Sequence, residues 1–216
     1  MKSRFDLLVF DWDGTLVDSI DWIVHCIHQA ARECAYDLPS EQACKNVIGL
    51  RLDEALSRLF PDATAATEKQ LIRAYQSTFR SRSMTRNDFF QGVYELLQQL
   101  KRDGYTLAIA TGKTRDGLRK ALEATDTSTL FTATRCADET ASKPNPMMLF
   151  QLMKETGIDS SRTVMIGDSI HDLQMARQAD IESIAVSCGA NSEDDLKRQN
   201  PLLCLQTTSE LLEILV

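Results

Sequence analysis

Four consecutive apolar residues, Leu7 to Phe10, run straight into two carboxylates, Asp11 and Asp13, before Gly14-Thr15 breaks the run. An apolar run bounded in this way reads as a strand. Like charges one residue apart repel unless a cation or a shared proton stabilises them, an arrangement more common at functional sites than in scaffolding. The segment therefore predicts both a strand and a site at its end.

The remaining pattern says what that strand belongs to. Ile20, Val24, Ile27, Ala31 and Cys34 recur at steps of three and four, one face of an amphipathic helix that begins near Asp18 or Ser19 as its cap. Leu52, Leu56, Leu59 and Phe60 mark a second amphipathic stretch, and Thr64 to Phe79 is rich in good helix formers. From Gln91-Gly92 the pattern changes. A helix over Val93 to Arg102 leads into a strand over Tyr105 to Ala110, and further strands are expected at Phe131 to Cys136, Thr163 to Ile166, Ser183 to Val186 and Leu202 to Leu205, with helical segments between them. Such alternation predicts an α/β fold, a parallel sheet wound on both faces. Residues 19–90 then form an all-α insertion after the first strand, and residues 1–18 with 91–216 form the core.

Composition narrows the possible partners. The 216 residues, 43% hydrophobic, can bury a core of one large domain or one domain with an insert. Acidic side chains outnumber basic ones 31 to 24, a formal charge of -7, which argues against nucleic acid and anionic membranes as partners. Any phosphate must be bound locally. The apolar run before Asp11 is too short for a signal-peptide core and no stretch has bilayer length. Six scattered cysteines without a Cys-x-x-Cys pair read as thiols of a reducing cytoplasm. His25-Cys26-His28 is the nearest approach to a transition-metal site, but it lacks a third ligand and reads as helix surface.

Ligands of parallel α/β sheets bind where the strands stop. The first strand stops at Asp11-Trp12-Asp13-Gly14-Thr15, the strand Tyr105 to Ala110 at Thr111-Gly112-Lys113, and the strand Thr163 to Ile166 at Gly167-Asp168-Ser169, with Asp172 following. Between the last two lies Ser142-Lys143-Pro144-Asn145-Pro146. Singly, Thr111-Gly112 also reads as a turn, Lys143 as a solvated lysine and Asp168-Ser169 as a helix cap. Together they describe a site for a divalent cation and a phosphate. Asp11 and Asp168 offer hard oxygen ligands suited to Mg²⁺. Thr111, the backbone N–H groups around Trp12 and Gly112, and Lys143 can surround a transferring phosphoryl group. An ionised aspartate can attack phosphorus, and a second carboxyl nearby can protonate the leaving oxygen.

The ordered motifs "DWDGT", "ATGK", "SKPNP" and "GDSIHD", with "MARQADIESIAVSCGAN" after them, resemble those of the haloacid dehalogenase superfamily, in its phosphoglycolate phosphatase-like branch. The resemblance implies a Rossmann-like core and makes the helical insertion a mobile cap. It implies Asp11 as nucleophile and Asp13 as general acid/base, the latter also offering its backbone carbonyl to Mg²⁺. It makes Thr111 and Lys143 phosphate binders, Asp168 a metal ligand and Asp172 the acid that orients Lys143. Dehalogenating members lack the second aspartate, so Asp13 points to hydrolysis of small phosphomonoesters. A cytoplasmic protein is expected, as a monomer or a homodimer.

Substrate choice is expected from the insertion. Within "GLRLDEAL", Arg51 is placed to meet a second negative group such as a carboxylate, although it also reads as a solvated arginine at a helix start. Arg80, Arg82 and Arg86 are further candidates, Trp12 and Trp22 read as packing residues, and His171 has no assigned role. A beta-phosphoglucomutase-like mutase, or a pyrophosphatase on the same site, is the alternative. The mutase-like relatives carry an arginine and a histidine where this chain has Leu52 and Ile23, which weighs against the first. A non-catalytic protein of the same fold would be expected to have lost one of the acids.

Overall fold

The first strand, β1 (Leu7–Phe10), is buried along its whole length at the centre of a six-stranded sheet. The computed structural model describes residues 4–215. The other strands are β2 (Thr106–Thr111), β3 (Ala133–Cys136), β4 (Thr163–Gly167), β5 (Glu182–Val186) and β6 (Leu203–Leu205). All pairings are parallel, in the order β3-β2-β1-β4-β5-β6. After β1 the chain winds outward through β2 and β3, then crosses back to β4 and winds the other way. The reversal lies between β1 and β4, where a crevice opens at the carboxyl ends of the strands.

The helices are α1 (Ile20–Glu33), α2 (Glu41–Lys45), α3 (Leu52–Leu59), α4 (Ala65–Arg80), α5 (Val93–Arg102), α6 (Arg115–Thr125), α7 (Met147–Thr156), α8 (Ile170–Gln178), α9 (Glu193–Lys197) and α10 (Leu211–Leu215). Strand side chains alternate between the two faces. Leu8, Phe10, Leu107, Ile109, Val164 and Ile166 pack against α5, α6 and α10, whereas Leu7, Val9, Ala108, Ala110 and Met165 pack against α7 and α8. On α5 the buried positions Val93, Leu96, Leu97 and Leu100 give the three-and-four spacing of a single face. The sheet thus has no open face, as the continuous apolar strands require.

Helices α1 to α4 form a block with its own cluster, in which Ile23, Ile27 and Ala31 of α1 meet Cys44, Leu56, Leu71 and Ala74. The chain enters and leaves this block through two paired segments. Asp18 N–H donates to the Asp88 carbonyl (2.8 Å) and Phe90 N–H to that of Leu16 (3.1 Å). One local expectation is corrected here: Ser19 takes the N-cap position of α1 without capping it, because its hydroxyl is used elsewhere. The five-residue α2, which no sequence expectation singles out, is too short to show periodicity. Among the described residues no helix is long and apolar enough to cross a membrane.

Candidate active site

Asp11 follows β1 directly and Asp168 follows β4, so the two strands beside the crevice each deliver a carboxylate into it. Asp172 comes from the first turn of α8, where it forms a capping box with Ser169: its Oδ2 accepts from Ser169 Oγ (2.6 Å) and Ser169 N–H (3.2 Å). Oxygens of Asp11, Asp168 and Asp172 lie within 4.8 Å of one another, and all three residues are buried. Lys143, with 0% of its surface exposed, stands between two of them, its Nζ 2.8 Å from Asp11 Oδ1 and 2.7 Å from Asp172 Oδ1. It is delivered by the loop before α7, whose Lys143–Pro144 peptide is cis.

These charges do not balance. Burial disfavours the Lys143 ammonium, but the two carboxylates beside it more than offset this and raise its pKa above the ordinary value. Burial pushes the Asp11 carboxyl well up, with Lys143 opposing and Asp172 and Asp168 adding to the rise. Asp168 is pushed up to about 7 by burial and by the charge of Asp172. One ammonium among three buried carboxylates leaves an excess of negative charge, which a divalent cation would neutralise. The donor set fits a hard cation. Asp168 is held by Thr15 Oγ1 (2.6 Å) on Oδ1 and by Ala190 N–H (2.7 Å) on Oδ2, while Asp11 Oδ1 also accepts from Trp12 N–H (2.6 Å). Gly14, at φ +78°, passes so close that a Cβ there would lie 2.2 Å from Asp168 Oδ2.

Asp13 has a separate set of partners. Ser19 Oγ donates to its Oδ1 (2.7 Å), and Lys113 Nζ lies 2.9 Å from its Oδ2. Lys113 Nζ also sits 4.7 Å from the centre of the Phe79 ring of α4. Thr111 Oγ1 accepts from Lys113 N–H (3.2 Å), which leaves the hydroxyl proton of Thr111 free to donate. The sequence places Lys113 in "ATGK" without a role. Its pairing with Asp13 joins residues a hundred positions apart, and no local pattern announces it.

The helical block is seated on this site. A Cβ on Gly112 would lie 2.6 Å from the carbonyl oxygens of both Gly49 and Leu50, so only glycine allows that approach. Arg51 N–H donates to Ser142 Oγ (3.0 Å), beside Lys143, and His171 Nε2 donates to the Asn46 carbonyl (2.9 Å). His171, without a role in the sequence, is a contact between core and block.

Between block and core lies a cavity of about 500 Å³ that reaches Asp11, Asp13, Thr111, Gly112 and Lys113 at one end and Arg80, Arg82 and Lys120 among its other lining residues. Arg51 does not line it. Its side chain is half exposed and pairs with Asp53 (2.6 Å) at the start of α3, the solvated alternative raised by the sequence. Arg82 pairs with Asp88, and Arg86 turns to Asp126 and the Thr125 carbonyl. Trp12 contributes its backbone N–H to Asp11, while its ring is packed in the core against Phe89 and Phe131. His25 stacks on Trp22 and His28 bonds the Pro39 carbonyl, so the two histidines do not converge.

The fold is that of a hydrolase family. A family model for haloacid dehalogenase-like hydrolases matches residues 8–186, and the chain belongs to that family. It is 36% identical over 211 residues to the probable phosphatase IndB of Dickeya dadantii (strain 3937), covering 95% of this chain and 91% of that protein. It is 28% identical to the pyrophosphatase PpaX of Bacillus velezensis (strain DSM 23117 / BGSC 10A6 / LMG 26770 / FZB42), covering 98% and 97% of the two chains. The crystal structure of a predicted phosphoglycolate phosphatase from Haemophilus somnus 129pt superposes with a TM-score of 0.87 at 23% identity, covering 99% of each chain, a likeness of fold.

Proposed function

We propose that this hydrolase is a Mg²⁺-dependent phosphatase of small phosphomonoesters that works through a phosphorylated Asp11. The observation that carries the reading is the division of labour between Asp11 and Asp13, two residues apart with no shared partner. Lys143 and Trp12 N–H hold Asp11 Oδ1, leaving Oδ2 to attack phosphorus as the bond to the ester oxygen breaks. Asp13, positioned by Ser19 and Lys113, is the general acid/base: in its protonated form it gives a proton to that oxygen, and as the resulting carboxylate it takes one from the water that releases phosphate from Asp11. Thr111 and Lys143 meet the phosphoryl oxygens. Asp11, Asp168 and the backbone carbonyl of Asp13 would hold Mg²⁺, which would supply the missing positive charge.

Residues 19–90 act as the cap of this core, and the contacts of Arg51 N–H and His171 with the opposite side represent its docked position. Leu52 and Ile23 line the cavity and offer no hydrogen bond to a sugar, which favours hydrolysis over phosphate migration. The six cysteines are free thiols, in keeping with a cytoplasmic site of action. The test is phosphate release from a panel of monoesters with and without Mg²⁺. Release in excess chelator, or from Asp11→Asn, would overturn the reading.

A further inference from the structure

The cavity narrows the substrate further, on the premise that the phosphatase reading holds. Beyond the phosphate end, its walls are Ile23 and Ile27 of α1, Leu52 and Leu56 of α3, and Tyr75 and Phe79 of α4. Tyr75 and Phe79 lie parallel, ring centres 5.7 Å apart and planes 15° apart. An aromatic wall therefore faces aliphatic ones. Three cations along the cavity already have acidic partners, Lys113 with Asp13, Arg82 with Asp88 and Lys120 with Asp116, and Arg51 lies outside it. Arg80 lines the cavity but also an outer groove with Arg73 and Ser77, so it marks the mouth.

The volume is not the product of an open cap. Gly49 and Leu50 press on Gly112 while the cavity still measures about 500 Å³, within the range of pockets that enclose drug-sized ligands. A glycolate, a glycerol or a second phosphate would leave most of that space unfilled and would set its polar groups against the apolar side chains of α1 and α3, while the Tyr75 hydroxyl and the Gln76 amide are left for a polar substituent on a larger body.

We infer that the substrate is the monophosphate of an alcohol carrying an aromatic or similarly apolar body, seated between α1, α3 and α4, with no second anion near the phosphate. Hydrolysis cleaves the P–O bond and gives that alcohol and inorganic phosphate.

The test compares kcat/KM with Mg²⁺ for 2-phenylethyl phosphate, phosphoglycolate, glycerol 3-phosphate and acetyl phosphate, the last reporting the phosphoryl chemistry with almost no body to bind. 2-Phenylethyl phosphate should exceed phosphoglycolate and glycerol 3-phosphate by about tenfold or more, within the range for apolar pocket contacts. Phe79→Ala should narrow the ratio of 2-phenylethyl phosphate to acetyl phosphate through KM, and Leu52→Lys, at the first turn of α3, should shift preference toward phosphoglycolate. Equal or better use of phosphoglycolate or glycerol 3-phosphate by the unmodified enzyme, with acetyl phosphate still cleaved and that cleavage lost in Asp11→Asn, overturns the inference alone. Release from none of the four overturns it together with the phosphatase reading.

Discussion

The carboxyl edge of the sheet and the inner surface of the helical block face the same cavity and are built on opposite principles. At the edge, Asp11, Asp168, Asp172 and Lys143 are buried charges, each with partners at hydrogen-bonding distance. Across from them, Ile27, Leu56 and Phe79 make contacts that any apolar residue of similar volume could make. Buried charge tolerates few substitutions, whereas an apolar wall tolerates many. Chemistry is therefore concentrated in a few residue types that can be recognised, and selectivity is spread over a surface whose shape decides.

The sharpest way to break that contrast is to remove a charge from the edge. Asp11→Asn should lower kcat by several orders of magnitude, read as phosphate release, because no other described side chain lies at that position to replace the nucleophile. Lys143→Ala should do comparable damage and also cost stability. With Lys143 gone, Asp11 and Asp172 lose the ammonium they share, and breaking a buried pair typically costs about 3–5 kcal/mol. Urea denaturation in chelator should show the loss, and a variant as stable as the unmodified protein would mean that Lys143 does not carry that charge balance.

A smaller effect is expected at Asp13, whose partners straddle the two regions. Losing the Lys113 contact in Lys113→Met should slow turnover by about tenfold to a hundredfold, the equivalent of about 1.5–3 kcal/mol for one charge-assisted contact. The measurement is kcat at saturating substrate. An unchanged kcat would make Lys113 a packing residue against Phe79.

Metal addition probes the edge without mutation. Mg²⁺ at about a hundred times its Kd should stabilise the folded protein by about 2.7 kcal/mol. For a chain of this length that corresponds to a rise in Tm of about 5–10 °C. Asp168→Asn should abolish the rise, and its persistence there would place the ion elsewhere.

The same contrast governs what can be read from the sequence. Strands β1 and β4 and the acids after them are legible because an apolar run that stops abruptly on charge marks the point where a buried strand leaves its sheet. Lys143 is legible as a member of the site, but its place between Asp11 and Asp172 depends on a loop that closes only in the tertiary fold. Lys113 and His171 sit inside recognisable motifs, yet their partners, Asp13 and the Asn46 carbonyl, lie about a hundred residues or more away. In the block, the amphipathic faces of α1 and α3 are visible, and the cavity they enclose is not. Periodicity says which side of a helix is apolar, and it does not say whether that side meets another helix or a substrate.

Arg51 is where this difference is tested with the smallest expected change. Sequence position alone puts it in the loop over the site and suggests a grip on a second anion. The backbone does lie there, since Arg51 N–H reaches Ser142, but at the N-cap of α3 the side chain runs outward to Asp53. Both members of that pair are nearly half exposed, so the ion pair contributes about 0.2–1 kcal/mol at most. Arg51→Ala keeps the backbone donor and removes only this solvated contact. The KM for phosphoglycolate should therefore stay within about twofold of the unmodified enzyme, well below the tenfold or more that loss of a charge-assisted substrate contact would produce. A tenfold rise in that KM, with no change for acetyl phosphate, would show that the guanidinium swings into the cavity when substrate binds, and the helical block would then select by charge as well as by shape.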